Sequence, residues 1–117
     1  MSRMQPLRRT LRSVAFIAAL VCLPGLALAG GDPAAGKEKT AVCQACHGLD
    51  GQSVDPTYPV IAGQYEDYLV KALEDYRSGA RVNAIMAGFA ANLSDQDIAD
   101  LAAWYSSQDG LKSIKID

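Results

Sequence analysis

The chain of 117 residues has room for a single domain. It carries 11 basic and 13 acidic residues, and four arginines lie in a basic head before residue 13. Residues 30–117 therefore hold seven basic residues against thirteen acidic ones, a net charge of −6. An acidic domain argues against nucleic acid and against an anionic membrane surface as its partner.

The first segment has the pattern of a secretory signal peptide. Its basic head is followed by an apolar run from Val14 that closes on Ala27-Leu28-Ala29, with small residues at both positions that a signal peptidase reads. The run is shorter than the roughly 20 residues of a membrane-spanning helix, although an uncleaved anchor is the alternative. We predict cleavage of residues 1–29 and an exported domain of residues 30–117, with no stable membrane insertion.

The first predicted helix begins at Asp32-Pro33, where an acidic N-cap precedes a proline at the first helical position. It runs towards the segment Cys43-Gln44-Ala45-Cys46-His47. Two cysteines at this spacing can each add a thioether to one porphyrin, and the adjoining histidine can then ligate the iron. His47 is the only histidine in the chain. The segment therefore predicts the covalent attachment of one haem c at Cys43 and Cys46.

Three other functions of this cysteine pair fit the sequence less well. A thioredoxin-like dithiol is expected in a βαβ context, and the chain shows no parallel-sheet pattern. A zinc site needs about four ligands, and the chain has neither a second cysteine pair after residue 29 nor a second histidine. A plain structural disulfide would leave His47 without a role.

The second predicted helix covers about residues 64–77, where apolar and aromatic residues recur at the spacing of one buried helical face. The residues of this predicted face are Tyr65, Tyr68, Leu69, Ala72, Leu73 and Tyr76. The helix ends at Ser78-Gly79. The stretches 48–63 and 78–92 on either side of it are predicted to be irregular, yet they are too apolar to be disordered. Loops this long around a small helical core usually wrap a ligand or carry function, so we expect a haem-sized group between them.

Met86 lies in the second irregular stretch and is the only methionine after residue 29. A lone methionine is by default a flexible core filler, but this one sits among small residues in a predicted loop. We predict that Met86 and His47 are the two axial ligands of the haem iron. Ligation by methionine and histidine raises the reduction potential, and a filled coordination shell suits electron transfer.

The third predicted helix begins at Ser94, with Asp97 in the position of a capping box. Its core face is predicted to run from Ile98 to Tyr105, and Gly110 is the expected terminator.

These residues resemble those of the class I cytochromes c, and most closely one domain of the tandem dihaem cytochromes of the bacterial periplasm and their single-domain relatives. The similarity covers most of residues 30–110 and includes the haem-attachment segment, Tyr58-Pro59, Ala62-Gly63-Gln64, Met86 and Leu93-Ser94-Asp95. Because the chain holds one attachment motif, any role that needs two haems does not carry over.

The resemblance implies an all-α fold in which three main helices and loops wrap one covalent haem. It implies a periplasmic electron carrier without substrate turnover, whose partners are redox proteins such as a cytochrome complex, a dehydrogenase or a terminal oxidase. It also implies that the Pro59 carbonyl accepts from the His47 ring, and that Trp104 lies where the last helix crosses the first near Gly36. Five residues remain open as ligands of the haem carboxylates: Gln64, Tyr65, Tyr76, Arg77 and Arg81.

Two other functions stay open at this point. A haem with an open sixth position would suit a peroxidase or a gas-binding protein, although no distal acid–base pair is evident. A permanent subunit of a larger dehydrogenase or oxidase would be favoured by a large exposed apolar patch. The apolar residues around Ile85 and Phe89 are the predicted contact patch.

Overall fold

The computed structural model describes residues 30–111 and shows a helical fold without strands over that range. The predicted signal peptide, residues 1–29, lies outside the described residues, as do residues 112–117. The all-α prediction is therefore confirmed for the described domain. Its helices are α1 (Pro33–Glu38), a short 3-10 helix (Thr40–Val42), α2 (Gln44–His47), α3 (Glu66–Ser78), α4 (Ala84–Ala90) and α5 (Asp95–Ser106).

The predicted starts of the first and third helices are confirmed by their caps. The Asp32 carboxylate accepts a hydrogen bond from the backbone N–H of Ala34 at 2.8 Å. The Ser94 hydroxyl accepts from the N–H of Asp97 at 3.0 Å, and the Asp97 carboxylate accepts from the N–H of Ser94 at 3.0 Å. This reciprocal capping box satisfies two N–H groups that lack helical partners.

The predicted end of the second helix at Ser78-Gly79 is confirmed, but the ends of the first and third helices are less accurate. The first helix stops at Glu38, and the chain reaches the attachment segment through the 3-10 turn instead. The Thr40 hydroxyl donates to the carbonyl of Lys37 at 2.7 Å, a local bond that competes with continued α-helix. The last helix ends at Ser106, before the predicted terminator Gly110.

The stretch predicted to be irregular between residues 78 and 92 contains helix α4, and this is a correction. The Asn83 side chain caps it by accepting from the N–H groups of Ile85 at 3.1 Å and Met86 at 2.9 Å. Met86 therefore lies on a short helix and not in a loop. The small residues and Gly88 concealed this helix, because they give no clear apolar period, although asparagine is a preferred N-cap.

Helix α5 is the centre of the domain. It packs against both α1 and α3, and α3 in turn packs against α4. Ile98, Leu101 and Tyr105 are at most 3% exposed, so the predicted core face of this helix is confirmed. The crossing with α1 depends on Gly36, because a Cβ there would lie 1.9 Å from the carbonyl oxygen of Asp100.

A buried carboxylate, that of Asp100, stabilises the same crossing of α1 with α5. Asp100 accepts from the backbone N–H of Asp32 at 2.8 Å, from Lys39 Nζ at 2.6 Å and from Gln96 Nε2 at 2.7 Å. The hydrogen bond from Lys39, supported by those from Asp32 and Gln96, lowers the pKa of Asp100 to about 2. The side chain is 4% exposed, so this carboxylate depends on these partners and not on water for its stabilisation.

Candidate cofactor site

A cavity of about 370 Å³ lies among α2, α3, α4, α5 and the loop before α3. This volume falls in the usual range for sites that bind small molecules and cofactors. The predicted site residues Cys43, Cys46, His47 and Met86 all line it. The structure thus brings together side chains that are separated by up to 43 positions in the sequence.

The two cysteine side chains lie close together because Cys43 is the N-cap of α2 and Cys46 lies on its first turn. The N–H of Cys46 donates to the carbonyl of Cys43 at 3.2 Å, so the side chains are three residues apart on a helical turn. Both thiols are free. Burial raises the pKa of the Cys43 thiol, whereas a dithiol redox centre depends on a lowered thiol pKa. Residues 30–111 also lack the βαβ setting of a thioredoxin-like dithiol. The helical setting, together with this direction of the pKa, argues against the thioredoxin-like alternative.

The orientation of His47 is set by the loop that follows it. The ring is 8% exposed, and its Nδ1 lies 2.9 Å from the carbonyl oxygen of Pro59. A carbonyl can only accept, so Nδ1 carries the proton and the neutral ring keeps its lone pair on Nε2. This is the contact that the family resemblance implied for Pro59. It leaves one ring nitrogen able to bind a metal and holds the ring in place.

Met86 reaches the cavity from a different element. Helix α4 presents it beside Ile85 and Phe89, which also line the cavity. Met86 is half-buried, whereas Ile85 is 64% and Phe89 45% exposed. A thioether is a neutral, soft donor, so the cavity offers an imidazole nitrogen from α2 and a sulfur from α4.

The chemistry of this cavity fits a haem. Its walls are largely aliphatic and aromatic, as an apolar macrocycle requires, and its donors are one imidazole and one thioether beside two thiols. Within residues 30–111 no group of three or more histidine, cysteine, aspartate or glutamate side chains could hold a bare metal ion. The zinc alternative therefore finds no ligand set in the described domain.

Helix α3 supplies the wall whose buried face was predicted from the sequence. Leu69 is the only residue of this helix that is buried, and Tyr68 is 48% exposed. The other residues of the predicted face, except Tyr65, line the cavity: Ala72, Leu73 and Tyr76. The periodic pattern thus marked a surface for the cofactor as well as for the protein core.

The five residues left open as ligands of the haem carboxylates separate into two groups. Gln64, Tyr76 and Arg81 line the cavity, whereas Tyr65 and Arg77 are not among its lining residues. The Arg77 guanidinium already donates to the carbonyl of Leu93 at 2.8 Å and to Asp95 at 2.7 Å. Arg77 thereby links α3 to the start of α5.

Two aromatic residues of α5 donate hydrogen bonds to the loop that follows His47. The sequence did not predict these hydrogen bonds for either residue. The Tyr105 hydroxyl donates to the carbonyl of Gly48 at 3.2 Å, and Trp104 Nε1 donates to the carbonyl of Leu49 at 2.7 Å. Burial is the main cause that raises the pKa of Tyr105, so its phenol stays a neutral donor. These contacts join residues more than 50 positions apart, which no local pattern reveals.

Comparison with known proteins agrees with this geometry. The family model for cytochrome c matches residues 33–109. Cytochrome c4 of Pseudomonas aeruginosa is 55% identical over 86 residues, which are 74% of this chain and 43% of the relative. Cytochrome c-554(548) of Halomonas halodenitrificans is 50% identical over 82 residues, which are 68% of this chain and 99% of the relative.

The solved structures give the same result. Reduced recombinant cytochrome c4 from Pseudomonas stutzeri superposes with a TM-score of 0.66 and 46% identity, and the match covers 70% of this chain and 48% of that one. The chain therefore spans about half the length of its cytochrome c4 relatives. No helix within residues 30–111 is long and apolar enough to cross a membrane.

Proposed function

Because the chain belongs to the cytochrome c family and carries haem c, we propose that it is a periplasmic carrier of single electrons between redox proteins, without substrate turnover. The observation that carries the proposal is the meeting of the attachment segment and Met86 in one cavity. When bound, the haem supplies the one-electron couple between ferric and ferrous iron.

The residue roles follow from the chemistry of the side chains. Each thiol of Cys43 and Cys46 would add across one vinyl group, the sulfur to one carbon and the proton to the other, which would form a thioether bond without net oxidation. His47 Nε2 and the Met86 sulfur are the proposed axial ligands. The carbonyl of Pro59 holds His47 in the tautomer that leaves Nε2 free to bind.

A closed coordination shell distinguishes a carrier from an enzyme. If His47 and Met86 both ligated the iron, they would leave no position on it for a peroxide or a gas. A thioether ligand would also favour the less charged ferrous state, because methionine–histidine ligation raises the reduction potential. These features support electron transfer over the peroxidase and gas-binding alternatives.

The location and the partners are inferred from sequence and surface. Cleavage before Gly30 would release residues 30–117 into the periplasm, and mass spectrometry of the exported protein should give their mass plus one haem. Ile85 and Phe89 form an exposed apolar patch at the cavity. Such a patch can support brief docking of a redox partner, whose basic surface would be attracted by the net charge of −6 over residues 30–117.

The experiment that tests attachment is extraction with acid and organic solvent after export and maturation in a bacterial host. We expect the haem to stay on the polypeptide, and a reversible one-electron titration to convert all of it. Replacing both Cys43 and Cys46 by alanine should abolish retention. Haem that extracts cleanly from the wild-type protein would contradict the proposal.

A further inference from the structure

The contact that orients His47 depends on a loop whose outer part is exposed. Residues 48–63, here called the Pro59 loop, carry the Pro59 carbonyl that lies 2.9 Å from His47 Nδ1. Residues 54–60 of this loop are all exposed, so burial does not fix the position of Pro59. The N–H of Ser53 ties the inner part of the loop to the His47 carbonyl at 2.7 Å. The place of the loop in the domain is therefore set by contacts nearer to its ends.

Tyr105 of α5 contacts the Pro59 loop at its start, at its first turn and at its end. The Tyr105 hydroxyl donates to the carbonyl of Gly48 at 3.2 Å, and the Tyr105 backbone carbonyl accepts from the N–H of Gly63 at 2.9 Å. Between these two contacts, a Cβ at Gly51 would lie 2.9 Å from Tyr105 Cδ1, so the ring packs directly against the loop backbone. Tyr105 thus closes the base of the loop.

Tyr105 is itself held firmly in the core. The residue is 3% exposed and belongs to the same buried cluster as Leu101. A buried phenol needs a hydrogen-bond acceptor, and the carbonyl of Gly48 meets that need. The neighbouring Trp104 is only partly buried, and its ring N–H reaches one carbonyl of the loop, that of Leu49. Tyr105 is therefore the more firmly held of the two donors to the loop.

We propose that Tyr105 is a positioning residue for the iron ligand His47, because it holds the Pro59 loop so that the Pro59 carbonyl stays on Nδ1. This role rests on the proposed function, which assigns His47 to the iron. A hydrogen bond to the second ring nitrogen fixes the orientation of a ligating histidine and raises its basicity. The Tyr105 hydroxyl acts at Gly48, the residue directly after His47. Without this hydroxyl the start of the loop opens more often, and the Nδ1 proton becomes exposed to solvent.

The test compares the matured, reduced holoprotein with two variants that each lose one phenolic oxygen. Tyr105→Phe removes the donor and keeps the ring. Tyr65→Phe is the matched control, because Tyr65 is 65% exposed and lies outside both the loop and the cavity lining. Nuclear magnetic resonance measures how fast the His47 Nδ1 proton exchanges with deuterium oxide. The backbone amides of Ile98 and Leu101, in the core of α5, are measured alongside it.

Tyr105→Phe should speed the exchange of the Nδ1 proton about three- to tenfold relative to the two amides, as expected for the loss of one neutral hydrogen bond. Tyr65→Phe should change this rate by less than about twofold, because its side chain is on the surface. The two amides report opening of the whole core. A loss of global stability alone would therefore speed the exchange of all three protons by the same factor.

A Tyr105→Phe protein whose ring proton exchanges as it does in Tyr65→Phe, or speeds up no more than the two amides, would overturn the proposal. If Tyr105→Phe does not mature, the wild type in dilute denaturant decides the question. Exchange of the His47 ring proton and of the Gly63 N–H should then rise by one common factor, smaller than that of the two amides, because one opening of the loop exposes both. Any other pattern would overturn the proposal.

The wild type also separates this proposal from the proposed function. Carbon-bound ring protons of His47 that are strongly shifted by the haem ring current would show an iron-bound histidine, and the proposed function would stand whatever the variants do. Unshifted ring protons in the wild type would contradict the proposed function instead.

Discussion

The crossing of α1 with α5 and the wall formed by α3 and α4 are built in different ways. At the crossing, Gly36 allows backbone contact and Asp100 is 3% exposed with three hydrogen-bond donors around it. In the wall, Ile85 is 64% and Phe89 45% exposed, although both are large and apolar. Both line the cavity, as Met86 does.

The difference shows which part of the domain depends on the cofactor. The α1–α5 crossing satisfies its polar groups and buries its apolar ones with protein alone. The α3–α4 wall turns much of its apolar surface towards the cavity, and burial there needs the macrocycle. We therefore expect changes in the haem to affect the wall first and changes at the crossing to affect global stability.

The largest expected effect comes from removing the haem. In a Cys43→Ala/Cys46→Ala chain from which any non-covalent haem has been extracted, the backbone amides of α4 should exchange with solvent about 100-fold faster than those of α5. Without the haem, α4 keeps few buried apolar contacts, whereas α5 retains Ile98 and Leu101 in its core. Hydrogen exchange resolved along the chain measures this, and equal exchange in the two helices would contradict the comparison.

A pair of glycine substitutions sharpens the comparison. Gly36→Ala should destabilise the holoprotein by about 3 kcal/mol, because its Cβ would lie 1.9 Å from a backbone oxygen that cannot move independently. Gly88→Ala on α4 meets nothing within 4 Å and should stabilise by about 0.5 kcal/mol through helix propensity. Chemical denaturation measures the free energy of unfolding of both variants. Equal destabilisation by both would show that the crossing is not packed more closely than α4.

The smallest expected effect is the pH dependence of the stability that Asp100 contributes at the α1–α5 crossing. The pKa of Asp100 is lowered to about 2, chiefly by Lys39. Its stabilisation is therefore complete above the ordinary pKa of 3.8 and is lost as the pH falls towards 2. The Tm difference between wild type and Asp100→Asn should be largest near pH 5 and shrink towards pH 2. A difference that stays constant over this range would contradict the assignment.

The sequence predicted the features that depend on nearby residues. The Asp32 and Ser94 caps, the end of α3 at Gly79 and the attachment segment all follow from contacts within a few positions. Met86 was identified because it is the only methionine after residue 29. Its helical setting was missed, because the cap at Asn83 precedes a segment without a clear apolar period.

Most contacts between residues that are distant in the sequence could not be predicted from it. Lys39 and Asp100 are 61 positions apart, and Trp104 reaches the carbonyl of Leu49 across 55 positions. Neither pair has a local signature, because each depends on how the helices cross. The Pro59 contact with His47 was anticipated only through the family resemblance, since backbone carbonyls carry no sequence signal of their own.

The central claim is that α2 and α4 each supply one axial ligand, so Met86 is the residue to test. In the ferric wild type we expect the weak long-wavelength band of iron–sulfur charge transfer. Met86→Ala should lose that band, show a lower reduction potential and bind carbon monoxide when reduced. Met86→His is the matched control that should lose the band yet keep six ligands.

The most direct measurement is the ferric absorption spectrum of wild type and Met86→Ala, combined with carbon monoxide binding to the reduced forms. The account predicts the sulfur band and poor carbon monoxide binding in the wild type, and the reverse in the variant. A wild-type protein that lacks the band and binds carbon monoxide as freely as Met86→Ala would show that Met86 is a packing residue. The iron would then have an open position, and the carrier function would be contradicted.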